Sequence, residues 1–138
     1  MVRIDFPDAV DTQTLGINNR GQVAGQYVDA AGGFHGFVWE RGRSTTFAPP
    51  GAVFVAPFDI NNRGQIVGSA YRDPAATAGR GFLLAKGPSG AFAPINFPGA
   101  ANTVVAGIND RGLIVGAYQA AALVSDPRSA RPSAALSA

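Results

Sequence analysis

The sequence predicts an all-β fold, and three observations carry that prediction. One phrase is written three times, as GINNRGQVAGQY at 16–27, DINNRGQIVGSAY at 59–71 and GINDRGLIVGAY at 107–118. Strand-forming residues fall in runs of about five to seven, separated by clusters of Gly, Pro, Asn and Asp. Eighteen Gly and ten Pro among 138 residues, with no sustained helical periodicity, leave little for helix.

The repeat sets the predicted elements in order. Ile17, Ile60 and Ile108 align, 43 and 48 residues apart. A first strand, TLGIN at 14–18, is matched by APFDIN and VVAGIN, and a second, QVAGQYV at 22–28, by QIVGSAY and LIVGAYQ. A third, FHGFVW at 34–39, is matched by RGFLLA at 80–85, and a fourth, RSTTFAP at 43–49, by AFAPINFP and by the opening VRIDFP. Four short strands in about 45 residues is the period of a β-propeller blade. A β-sandwich is the alternative. Within a unit spanning 1–124, the first hairpins of the blades are placed at 14–28, 57–71 and 104–119. Asn and Gly of the Asn-Asn-Arg-Gly turn suit a tight reversal that needs positive φ. A second glycine, at Gly25, Gly68 and Gly116, marks a bulge or a close backbone approach.

The strand order implies closure by assembly. The chain opens on a fourth-type strand, and its third copy fades into the weak AAALV with no fourth strand after it. Three blades of four strands are fewer than the usual minimum of about four for a closed ring. Two copies are therefore expected to make a six-bladed homo-oligomer, the N-terminal strand of one completing the last blade of the other. The tail SDPRSARPSAALSA, 125–138, is expected to be disordered.

Composition narrows the function classes. Charged residues are 14% of the chain, the net charge is +2, and the basic residues are scattered singly, which disfavours nucleic acid as a partner. No apolar run is long enough to span a membrane, and MVRIDFPDAV lacks the features of a secretory signal, so an exported protein would carry its signal outside this chain. Without cysteine there is no thiol nucleophile, disulfide or thiolate metal site.

The stretch GINNRGQVAGQYVDAAGGFHGFVWERG resembles the bacterial extracellular family of HAF repeats, whose His-Ala-Phe-like motif reads here His35-Gly36-Phe37. The resemblance runs over 2–124. The second copy departs with Arg80-Gly81-Phe82, and the third lacks the motif. The resemblance implies propeller-forming repeats and an extracellular or cell-envelope location, and it brings no catalytic residues.

Candidate binding residues are those that recur or that stand out chemically. His35, the sole histidine, is read as a structural strand residue; its functional alternative is a pocket between blades, with Arg80 at the equivalent place, donating to a sugar hydroxyl or an acid. Trp39 is suited to stacking on a sugar, but the second copy carries Ala85 instead, and packing is the preferred reading. Tyr27, Tyr71 and Tyr118 recur in all three copies, as ligand anchors or as packing. Arg20, Arg63 and Arg111 take the same place in each turn, either as solvated tips or as a rim of guanidinium groups able to receive carboxylates. Asp29 and Asp73 are read as turn initiators. The serine of GPSG, 87–90, lacks a nucleophile's spacing and falls in an expected loop. Catalytic residues, cofactors and metals are therefore assigned to none. The leading functional reading is a non-enzymatic, lectin-like module with carbohydrate as the ligand class. The alternative is a repeat scaffold whose role is assembly, and the third reading is an enzyme, for which Asp59 is the sole acid candidate.

Overall fold

The computed structural model describes residues 3–73, 78–88, 90–120 and 136–137, and every regular element among them is a strand. β1 (Asp11–Ile17), β2 (Val23–Val28), β3 (Phe34–Glu40) and β4 (Arg43–Phe47) form one antiparallel sheet in sequence order. β5 (Phe54–Ile60), β6 (Ile66–Tyr71), β7 (Gly79–Pro88) and β8 (Phe92–Ile95) form a second of the same kind. β9 (Ala100–Ile108) and β10 (Leu113–Ala120) begin a third, and the two-residue β11 (Leu136–Ser137) lies on the free side of β10.

The repeated phrase builds the first hairpin of each sheet. Gly21, Gly64 and Gly112 close the turns at φ of 77°, 77° and 85°, a region where any other residue is strained. The second glycine serves a bulge. Pairing slips between Thr14 and Gly16 and between Pro57 and Asp59, opposite Gly25 and Gly68, and a Cβ on either would run into the carbonyl oxygen of Gln13 or Ala56 on the neighbouring strand.

The three sheets pack in succession through two apolar layers. Ala24, Val38 and Phe47 of the first sheet meet Val55, Ile60, Ile66, Phe82 and Leu84 of the second. Val67, Leu83 and Ile95 from the second then meet Val105, Ile108 and Ile114 from the third. Side chains alternate across a strand, so β6 sends Ile66 to one layer and Val67 to the other. The middle sheet is thereby covered on both faces, and 66–70 is buried without interruption.

One strand expectation changes, and two further expectations fall largely outside the described residues. The opening stretch expected to be a fourth-type strand is irregular from Arg3 to Pro7, and no third-type strand lies beside it among the described residues to complete a ladder. The expected weak third strand, 120–124, lies outside the described residues beyond Ala120, which ends β10. Of the tail expected to be disordered, 125–135 and Ala138 also lie outside them, while Leu136 pairs with Ile114 as Leu84 pairs with Ile66. The all-β class stands.

Candidate functional site

The Asn-Asn-Arg-Gly turns do more than reverse the chain. Asn18 Oδ1 accepts from the backbone N–H of Arg20 and Gln22, at 3.0 Å each, which locks its own turn. Its amide Nδ2 donates to Gln22 Oε1 and, at 2.9 Å, to the carbonyl oxygen of Asn61 in the next sheet. Asn61 repeats the pattern, locking its turn through Arg63 and Gln65 and donating to the carbonyl oxygen of Asn109 at 3.0 Å. Beside this runs a second rung: Asn19 N–H donates to Asn62 Oδ1, and Asn62 N–H to Asp110 Oδ1. The turns thus form a ladder with one direction, donors pointing from each sheet to the following one.

Both ends of the ladder are open among the described residues. Asn109 Oδ1 caps its own turn through Arg111 and Leu113, but neither its Nδ2 nor the N–H of Asp110 has a following turn to donate to. At the other end, the carbonyl of Asn18 and the side chain of Asn19 receive nothing from a preceding turn. Asp110, accepting from the backbone N–H of Asn62 first and from its side chain second, has its carboxyl held below the usual carboxylate range.

Burial follows the same asymmetry. Ile60 and Ile108 are 4% and 9% exposed, packed against the preceding sheet, whereas the equivalent Ile17 is 69% exposed. Ala24 and Val67 are buried against the following sheet, whereas the equivalent Val115 is 41% exposed. Leu15 and Leu113 are exposed beside them.

The predicted ligand-binding residues do not converge. Arg20, Arg63 and Arg111 are exposed on successive turn tips. His35 Nε2 lies 2.7 Å from Asp29 Oδ2, and this hydrogen bond, followed by that from Gly33 N–H, holds the Asp29 carboxyl below its ordinary range. Asp29 Oδ1 meanwhile accepts from Ala31 and Gly33, as a turn initiator should. Tyr27 lies between Phe6, stacked at 3.7 Å, and His35, at 5.0 Å between centroids, and its hydroxyl meets Thr46 Oγ1 at 3.0 Å. Among the described residues no group of three or more His, Cys, Asp or Glu is placed to hold a metal. Asp59 serves the fold instead: its two oxygens accept from the N–H of Ile60 and of Ile108, joining the second sheet to the third.

Strand register corrects two equivalences. Gly25 pairs with Phe37 and Gly68 with Phe82, so Tyr27 corresponds to Ala70, opposite Arg80, and Tyr71 lies one residue further along, on the opposite face. Likewise Trp39, opposite Val23, corresponds to the buried Leu84, opposite Ile66, and not to Ala85. In the second sheet a cavity of about 260 Å³ opens at this place, lined by Pro49, Ala52, Ala70, Phe82, Arg72 and Arg80 among others. Counting from the second glycine would have found Ala70 and Arg72; the inter-sheet role of the asparagines left no signal beyond their repetition.

Comparison with protein-family models, with curated proteins and with solved structures finds no match to the chain.

Proposed function

We propose that the chain is a non-enzymatic assembly module: a propeller-type repeat that binds a second copy of itself head to tail, two copies closing a six-bladed ring. The open ladder carries this reading. Asn109 Nδ2 and Asp110 N–H of one copy are the donors that the Asn18 carbonyl and the Asn19 side chain of the next would accept, by the same geometry that joins the turns within the chain. The exposed apolar side chains fit the same partner, since Val115 against a second Ile17 would restore the contact that Val67 and Ile108 make internally. A contact between unlike surfaces that closes after a fixed rotation gives a cyclic assembly.

The opening stretch supports closure as well. Phe6 stacks on Tyr27 at 3.7 Å and 4°, as Phe97, just after β8, stacks on Tyr118 at 3.8 Å and 6°. Residues 3–5 therefore stand, relative to the first sheet, where the end of β8 stands relative to the third. They are set to pair as the missing outer strand of a partner's sheet. An extracellular setting, implied by the likeness to HAF repeats, belongs to the same proposal.

Mass in solution is the test. The chain is expected to run at twice its 14.1 kDa, and Val115→Asp, which alters an already exposed side chain, is expected to run as a folded monomer. A well-folded wild-type monomer at high concentration would sink the proposal.

A further inference from the structure

At one place the middle copy departs from the two that flank it, and the difference creates a site. Before the first strand of each sheet the chain makes the same turn, closed by Ala9 N–H to the Phe6 carbonyl, Ala52 N–H to the Pro49 carbonyl and Ala100 N–H to the Phe97 carbonyl. In the flanking copies the aromatic ring at this turn lies flat on a tyrosine of the second strand, Phe6 on Tyr27 and Phe97 on Tyr118. In the middle copy both rings are absent: Pro49 replaces the phenylalanine and Ala70 the tyrosine. The space left is the cavity of about 260 Å³, with Phe82 and Phe92 contributing apolar walls.

The charge at its edge is replaced too. Asp29 and His35 pair across the equivalent place in the first sheet. Counted from the second glycine, the counterpart of Asp29 in the second sheet is Arg72, and by strand register that of His35, opposite Tyr27, is Arg80, opposite Ala70, so an acid and its partner have become two cations. Both arginines line the cavity and are exposed, and neither makes an ion pair among the described residues. Arg72 is held over the 49–51 turn, its Nε within about 4 Å of where a side chain on Gly51 would begin.

We infer that this cavity binds a small aromatic carboxylate, its ring taking the place of the missing Phe–Tyr pair and its carboxylate meeting Arg72 and Arg80. An apolar cavity of about 150 Å³ already accepts a benzene ring, so the space suffices for a ring and a short substituent. A guanidinium offers paired N–H donors that match the two oxygens of a carboxylate. A sugar fits less well, because several of its hydroxyls would face Pro49, Ala70 and Phe82 without partners. The site lies within one chain and does not depend on self-association.

Titration followed by NMR, with benzoate, benzyl alcohol and acetate as probes, tests this. Benzoate is expected to saturate and to bind roughly tenfold more tightly than benzyl alcohol, the difference a charge-assisted contact supplies; acetate, without a ring, is expected not to saturate. Pro49→Phe with Ala70→Tyr, which rebuilds the stack of the flanking copies, is expected to abolish benzoate binding while the circular dichroism stays that of the wild type. Arg72→Gln with Arg80→Gln, both exposed, is expected to bring benzoate down to the level of benzyl alcohol. Failure of benzoate to saturate the wild type overturns the assignment, as does undiminished binding in the refilled protein. Should the refilled protein not fold, unchanged benzoate affinity in the double arginine variant overturns it equally.

Discussion

Asn61 shows how one side chain serves two levels of structure. Its carbonyl end closes a turn of five residues, and its amide end joins that turn to the next sheet, so a single conformation satisfies both. The neighbouring rung is ionic at its last position, where Asp110 stands in place of the Asn62 of the copy before, and this gives it a pH dependence. The folded-state pKa of Asp110 lies below its ordinary value, because Asn62 donates to the charged form. A depressed carboxylate stabilises the fold fully above the unfolded pKa and loses that contribution as pH falls through the folded one. Asp110→Asn restores the Asn-Asn-Arg-Gly phrase with an acceptor oxygen that does not titrate. It is expected to lose less stability between about pH 6 and about pH 2 than the wild type, read as the change in urea midpoint; Asp29, depressed by His35, remains to titrate in both. Equal losses in the two proteins would show that the rung does not depend on the charge of Asp110. The turn chemistry of these residues was legible in the sequence, since Asn and Gly have few other uses at that spacing. Their bonds to the next sheet were not, because nothing local distinguishes an amide that bonds across a layer from one that faces water.

The hairpin is the unit the sequence spells most clearly, and the bulge explains why the second glycine is invariant among the three copies. Opposite Gly68 the partner strand carries an extra residue, and the chain bends so that the Ala56 carbonyl fills the space of a side chain. Gly68→Ala is expected to destabilise by about 2 kcal/mol or more, the cost of forcing volume into a packed layer, with the loss visible in chemical denaturation. An effect under about 0.5 kcal/mol, the scale of a surface change, would mean the strands part there without strain. An extra residue after this glycine in the middle copy blurs the alignment beyond it. GQY in the first copy and GAY in the third have one residue between Gly and Tyr, whereas GSAY in the second has two, which moves Tyr71 to the opposite face and leaves Ala70 beside the cavity. A count of tyrosines registers recurrence; only the pairing register reveals that one of them has changed sides. The fourth-type strand failed at the N-terminus for a related reason. A strand is defined by its neighbour, and Arg3 to Pro7 have none among the described residues.

At the scale of the molecule, three equivalent isoleucines report on what surrounds each sheet. Ile60 and Ile108 are buried because a sheet precedes theirs; Ile17 is exposed, and none precedes its sheet among the described residues. Composition and periodicity predicted the all-β class, and burial at equivalent positions adds what they lacked, the identity of the two surfaces left uncovered by the described residues. The comparison yields a paired experiment. Ile60→Ala removes a methyl-rich side chain from a closed layer and is expected to cost about 2–4 kcal/mol, at every protein concentration. Ile17→Ala removes the same atoms from an open surface, so within one chain it is expected to cost less than about 0.5 kcal/mol. In an assembled protein its effect appears elsewhere. Association stabilises the folded state by mass action, so the wild-type melting temperature is expected to rise with concentration, and Ile17→Ala is expected to flatten that rise while leaving the dilute limit where it was. A wild-type melting temperature independent of concentration, with Ile17→Ala indistinguishable from it throughout, would mean that the exposed face of the first sheet meets only water.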